Sequence, residues 1–304
     1  MEGITTVYKR GCNPYFPVKF RVLASDSLGV RSLATSVDAG GVKILIDPSA
    51  ALGPRKYGLP PHELEEQALA YATDLIRREV EGADIVVFTH YHWDHYDPGL
   101  PLEGKTLFVK DPKNNINLSQ RKRAALLEYE AIPADGKRFD IGPEEIVFSP
   151  PLPHGPEGTK LGYVIAVKIG DLLFSSDIQG PVSEGAAEWI IEQNPKTIIM
   201  DGPPTYFLGY RFSVDSRDAA LRNLERIMEK TDVREIILDH HLTRDLKREE
   251  NFPIYAKGEE YGVKIKTAAE HRDLDNLFLE AWRKELWKGE KEIDPNIVRR
   301  VYNE

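Results

Sequence analysis

Four side chains of the kinds that bind metal ions fall between His90 and His95, in the run Thr89-His90-Tyr91-His92-Trp93-Asp94-His95 directly after the apolar stretch Ile85 to Phe88. A strand cannot aim them all at one place, because neighbouring side chains alternate faces. The chain must therefore leave a buried strand here and turn through a loop towards a helix. In such a loop His90 and His92 can face one ion, and Asp94 with His95, further round the turn, a second. Imidazole mixed with carboxylate suits zinc, manganese or iron. A single cysteine excludes an intramolecular disulfide framework and any zinc site built on several thiolates.

Short β-branched runs recur along the chain, each ending in a turn or in a polar residue. Val42 to Ile46 ends at Asp47-Pro48, Thr197 to Met200 at Asp201-Gly202, and Glu235 to Leu238 at Asp239-His240. Tyr163 to Ile169 and Leu172 to Phe174 flank Gly170-Asp171, a hairpin signal, and Gly262 to Ala268 alternates like a late strand. Between them lie helical patterns at 61–81, 119–129, 183–193, 215–230 and 274–288. The last carries Leu274, Leu277, Phe278, Ala281 and Trp282 at helical spacing, read as core or interface. Strands alternating with helices indicate an α/β fold. No low-complexity linker divides residues 1–304, which reads as a single domain with a charged, peripheral tail at 289–304.

Six of the eight histidines sit at strand ends or in turns: His90, His92, His95, His154, His240 and His241. His62 and His271 lie in charged helical surroundings and read as surface residues. The segment His90-Tyr-His-Trp-Asp-His95 matches the H-x-H-x-D-H motif of the metallo-β-lactamase fold superfamily, and the rest of the chain agrees with it in order. Asp47 resembles the superfamily's strand-end Asp that supports the metal loop. His154 in Pro153-His-Gly155 resembles its third motif, Asp177 in Phe174-Ser-Ser-Asp a carboxylate bridging two metals, and His240 the last ligand. The likeness spans about residues 20 to 270. In detail, Asp26 to Ser32 (DSLGVRS), Ile44 to Ser49 (ILIDPS) and Asp201 to Tyr206 (DGPPTY) resemble a little-characterised, mostly archaeal group within that superfamily.

The resemblance implies a four-layer αββα sandwich of metallo-β-lactamase type carrying two divalent ions, zinc by default, with manganese or iron open. His90, His92 and His154 would hold one ion and Asp94, His95 and His240 the other, with Asp177 between them. The side-by-side His240 and His241 leave the last ligand open, with His240 preferred from its place after the strand. The implied chemistry is hydrolysis of a phosphoester, lactone or thioester by a water that the two ions activate. Asp94 and Asp177 would serve that chemistry from the metal centre, Asp177 taking the water's proton. His241 or Tyr206 would protonate the leaving group, and Asp47 would fix the loop or a histidine tautomer. Arg31 is either an anion contact or part of a plain turn. Arg121 to Arg123 is a phosphate contact or a solvated helix face, and Trp93 a packing residue that sets the loop.

Other activities of the same fold are weaker candidates. A nuclease is disfavoured by the net charge of −9, since non-specific nucleic-acid binding needs basic surface. An iron oxidoreductase is disfavoured because His92 stands where diiron flavoproteins of this fold have Glu. The expected partner is a small-molecule substrate. No apolar run is long enough to span a bilayer and Met1 to Phe20 has no signal-type apolar segment, so a soluble cytoplasmic protein is expected. Few Gln, three Met and one Cys beside abundant Lys and Glu match the bias of proteins from hot environments. A patch at Trp282, Trp287 and Tyr302 reads equally as core or as an oligomer surface.

Overall fold

A computed structural model describes residues 18–303. Of the Met1 to Phe20 segment read above, residues 1–17 lie outside the described residues. The first half of the chain builds one sheet from β1 (Lys19–Val22), β2 (Thr35–Ala39), β3 (Val42–Ile46), β4 (Ile85–Phe88), β5 (Thr106–Val109) and β6 (Ile132–Pro133), in that spatial order. β1 to β3 pair antiparallel, and β3 to β6 run parallel. α1 (Glu63–Glu81) crosses from β3 to β4, and α2 (Leu118–Ala124) leads towards β6. His62 closes the start of α1, accepting from Leu64 N while the Glu65 carboxylate accepts from His62 N.

The second sheet has the order β15-β14-β13-β12-β11-β8-β7. Its strands are β7 (Arg138–Ile141), β8 (Glu144–Phe148), β11 (Val167–Ile169), β12 (Leu172–Phe174), β13 (Thr197–Met200), β14 (Glu235–Leu238) and β15 (Lys264–Lys266), with β12 to β15 parallel. A small ribbon of β9 (Leu152–Pro153) and β10 (Tyr163–Val164) stands apart. The helices of this half are α3 (Glu184–Gln193), α4 (Val214–Lys230), α5 (Arg248–Asn251), α6 (Ile254–Tyr261) and α7 (Ala268–His271), followed by α8 (Arg283–Lys288) and α9 (Pro295–Asn303).

Strand periodicity shows which layer covers which face. Phe174, Ile199 and Ile237 point into a core shared with the first sheet and α1, while Leu173, Ile198, Met200, Ile236 and Leu238 pack with residues of α3 and α4. Sheet faces sheet, with helices outside. That is the αββα sandwich, and it explains why every residue of β4 is buried.

Three expectations need correction. The helical spacing at 274–288 yields a helix only over Arg283–Lys288. Upstream, Asp273 takes a left-handed φ of 55°, and Leu277 N donates to Ser27 O at 2.7 Å, so the backbone is tied to another element instead of to its own turn. The pattern at 119–129 stops at Ala124. The tail is not peripheral: Val298, Val301 and Tyr302 of α9 enter the main core. Trp287 stays exposed, so the aromatic patch divides between core and surface. Among the described residues no helix is long and apolar enough to cross a membrane.

Candidate metal centre

The site lies where strands of both sheets end. His90 to His95 follow β4, His154 follows β9, Asp177 follows β12, and Asp239 to His241 follow β14. Carboxyl ends of parallel strands are where open α/β sheets gather binding loops. Four non-glycine residues here adopt left-handed φ: Asp47 (48°), Ser176 (59°), Gln179 (59°) and His240 (65°). Such conformations cost on the order of 1 kcal/mol each and persist where surrounding contacts over-determine them.

The structure brings all seven sequence-derived ligand candidates together, and His241 with them. His154 Nε2 lies 3.3 Å from His92 Nδ1 and 3.5 Å from Asp177 Oδ2, while His90 Nε2 lies 3.7 Å from the same oxygen. His95 Nε2 lies 3.2 Å from His240 Nε2 and 3.2 Å from Asp177 Oδ1, and His240 Nε2 is 3.6 Å from Asp94 Oδ2. Four overlapping groups result among the described residues: His90, His92, His154 and Asp177; Asp94, His95 and His240; Asp47, His90 and His95; and Asp177, His240 and His241, the first two being those expected. His241 Nε2 also reaches Asp177 Oδ2, at 3.6 Å, which leaves Asp177 with two adjacent imidazoles from one strand end.

The donor set fits divalent ions. His90 Nε2 is buried and finds no hydrogen-bond partner among the described residues, and ring nitrogens converge in facing pairs. Behind three of the imidazoles stands a carboxylate on Nδ1 at 2.8 Å: Asp47 on His95, Asp26 on His240 and Asp201 on His241. Such partners fix the tautomer and aim the other nitrogen forwards. Asp47 also accepts from Thr89 N at 2.7 Å and Thr89 Oγ1 at 2.5 Å, which pins the start of the His90–His95 loop.

Electrostatics separates the two groups. Burial, with His95 and His92 adding to it, holds His90 well below the ordinary imidazole range. Burial and His154 bring His92 down to about 3. Burial also lowers His95, but Asp177 and Asp47 overcome it and hold it well above that range. His240 feels burial and Arg244 against Asp177 and Asp26, and ends at about 9. Burial opposes the charge on Asp94, yet His95, His240 and Arg244 pull it below the usual carboxylate range.

Asp26, Asp201 and Arg244 carry much of this arrangement; the sequence marked the segments that open at Asp26 and Asp201 without giving those two a role, and did not mark Arg244. Asp201 shares its signal with Asp47 and Asp239, an Asp at the end of a buried strand. Asp26 and Arg244 meet across 218 positions, which no local pattern reveals. Tyr206 stands off the cluster, on the wall of a cavity of about 690 Å³ in front of it that His92, Asp94, His154, Asp177 and His241 also line. Arg31 reaches that cavity while its guanidinium pairs with Glu280. Trp93, read as a packing residue that sets the loop, is 46% exposed, its ring stacked on Tyr96 with Arg123 over it. Arg123 donates to Tyr91 O and Arg121 to Lys113 O, so both brace loops. His62 and His271 are half-buried instead of lying free on the surface, His62 capping α1 and His271 stacking on Phe20.

The sandwich and the histidine-carboxylate cluster at its strand ends define a metallo-β-lactamase fold protein. The fold aligns over 86% of this chain and 97% of the other with the metallo-β-lactamase fold protein YhfI from Bacillus subtilis, at a TM-score of 0.51 and 16% identity. No protein-family profile matches the chain. The chain belongs to the UPF0282 family. It is 45% identical over 282 residues to a UPF0282 protein of Korarchaeum cryptofilum, covering 88% of this chain and 93% of that one. A UPF0282 protein of Thermococcus gammatolerans is 44% identical over 308 residues, covering 92% and 98%.

Proposed function

We propose that the protein is a metal-dependent hydrolase of small anionic esters, phosphoesters foremost, with two divalent ions, zinc by ligand type, held by the two groups described above. The observation that carries this reading is the convergence of buried imidazole nitrogens on Asp177, with His90 Nε2 left without a hydrogen-bond partner among the described residues. When bound, such ions acidify water and polarise the electrophile's oxygen. Arg31, Lys160, Arg211 and Arg244 line the cavity in front, which favours an anionic substrate despite the acidic net charge of the chain.

His90, His92 and His154 would hold one ion and Asp94, His95 and His240 the other, with Asp177 lying between the two groups. Asp177 orients the attacking water and accepts its proton. His241 is the proton carrier to the leaving group, because its Nε2 side opens on the cavity whereas His240 is fully buried and does not line it. Burial keeps His241 well below the ordinary imidazole range, so it starts neutral, with its Nδ1–H held by Asp201 and Nε2 bare; Nε2 then takes the water's proton from Asp177 Oδ2, 3.6 Å away, and passes it to the leaving oxygen. Tyr206 positions substrate from the far wall.

The test is metal content by plasma mass spectrometry on protein purified without added metal, run beside turnover of bis(p-nitrophenyl) phosphate. About two zinc or manganese per chain are expected. His92→Ala and Asp177→Ala should each lose metal and at least about 10³-fold in turnover. Full activity in either variant, or iron as the dominant metal, overturns the reading.

A further inference from the structure

Beyond the cavity in front of the metal centre lies a second one of about 670 Å³, on the other side of Arg31, Tyr206, Phe207 and Arg244, which the two cavities share as a wall. Its lining includes five cationic side chains, Arg31, Arg55, Lys56, Arg244 and Lys247, against two carboxylates, Asp245 and Glu280.

Asp245, Glu280 and, on Arg244, Asp26 offset three of these five positive charges and leave a surplus. Asp245 is taken up by structure, accepting from Thr205 Oγ1 at 2.7 Å, Asn251 Nδ2 at 2.8 Å and Lys247 N at 2.9 Å. Glu280 is divided between two cations: both its oxygens take the Arg31 guanidinium, at 2.6 and 2.7 Å, and Lys56 Nζ stands 3.7 Å away. Arg55 and Lys247 have no carboxylate partner among the described residues.

Two of the cations, Lys56 and Arg31, are also held in place. Lys56 Nζ donates to Arg244 O at 2.8 Å and sits 4.7 Å from the centre of the Tyr206 ring. It is only 10% exposed, and burial lowers its pKa to about 8 even with Glu280 pulling the other way. Gly53 makes room for the Arg31–Glu280 pair, since a Cβ there would land inside contact distance of both groups. An ordered, cation-rich pocket whose positive charge its own carboxylates do not match is a receptor for an oxyanion.

We propose that this second cavity binds a phosphate group of the substrate remote from the bond that is cleaved, so that the substrate is a phosphoester carrying a second phosphate. The reacting ester lies before Asp177 and His241, and the substrate passes the Arg244–Tyr206 wall to set its second phosphate among Lys56, Arg55 and Lys247. This assignment of the reaction rests on the hydrolase reading, but the cavity's retention of phosphate does not.

Equilibrium dialysis of the metal-loaded full chain against radiolabelled inorganic phosphate separates the two. Wild type is expected to bind two phosphates per chain, one at the metal centre and one in the cavity. Lys56→Gln should lose the second and His92→Ala the first. Arg55→Gln with Lys247→Gln, both at exposed positions, should weaken the second site at least about tenfold and guards against a folding defect in Lys56→Gln. A single phosphate that His92→Ala abolishes, or two phosphates retained in both cavity variants, overturns the proposal. A single phosphate that Lys56→Gln abolishes and His92→Ala spares upholds the cavity while sinking the metal-centre reading.

Discussion

Arg244 decides how alike the two ligand groups are. Its Nε donates to Asp26 Oδ1 at 2.7 Å, while Nη2 lies 3.1 and 3.2 Å from the two ring nitrogens of His240 and 3.7 Å from Asp94 Oδ2. A guanidinium stays charged at any working pH. An ion held by Asp94, His95 and His240, as proposed, would therefore sit beside a fixed positive charge, which Asp26 offsets only in part. His90, His92 and His154 have no comparable cation against them among the described residues. Between unit charges about 4 Å apart near a protein surface, repulsion is on the order of several kcal/mol before offset. Zinc titration of chelator-stripped protein, read against a chromophoric competitor, should thus show a tight step and a second at least about tenfold weaker. Arg244→Gln keeps a donor for Asp26 and removes the charge, so it should narrow that gap. Equal steps in wild type, or an unchanged gap in the variant, would contradict this account.

At the level of elements, the site depends on where strands stop. β4 ends at Phe88, and Asp47, from the end of the neighbouring β3, catches Thr89 by both its amide and its hydroxyl before holding His95. Asp47→Ala leaves the buried Thr89 amide without that acceptor and His95 without its orienting partner. The expected cost is about 1–3 kcal/mol of stability by chemical denaturation and a 10–100-fold loss in metal affinity. A variant with wild-type metal affinity would show that the strand end does not need this tie. The strands that stop here were legible because burial on both faces writes continuous apolar runs. Val42 to Ile46, Ile85 to Phe88, Thr197 to Met200 and Glu235 to Leu238 each became a strand with the same bounds. Of the ligand candidates, His90, His92, Asp94 and His95 were legible in a dense local motif next to one of those runs and His240 next to another, whereas His154 and Asp177 were reached through the resemblance. What the sequence concealed depends on contacts between distant segments. Tyr163 to Ile169 reads as one strand, but Ile165 N bonds to Thr89 O and Ala166 N to Ser149 Oγ, so the run breaks between the small ribbon and the large sheet. Leu274 to Trp282 has helical spacing, yet its backbone docks on Ser27 and delivers Glu280 to Arg31.

Across the whole molecule, the carboxyl-terminal helix supports the metal centre from a distance. Tyr302 Oη, fully buried in α9, donates to Leu28 O at 2.7 Å. Leu28 belongs to the turn that starts at Asp26, the residue that holds both His240 and Arg244. The same turn is fixed from the other side, where Ser27 N donates to Asp239 and Ala269 N donates to Ser27 Oγ. Removing 295–304 deletes Val298, Val301 and Tyr302, each worth about 1.5–3 kcal/mol of apolar burial, uncovers the core they pack on, and releases the Leu28 carbonyl. The shortened chain should lose roughly 5 kcal/mol in chemical denaturation, and it should lose the ion proposed for Asp94, His95 and His240 before the one proposed for His90, His92 and His154. Tyr302→Phe, which keeps the packing and drops the hydrogen bond, should cost about 1 kcal/mol and shift only the weaker metal step. It serves as the test if the truncation does not fold. If Tyr302→Phe instead weakens both steps equally, or neither, the turn at Asp26 is not the route by which α9 reaches the site.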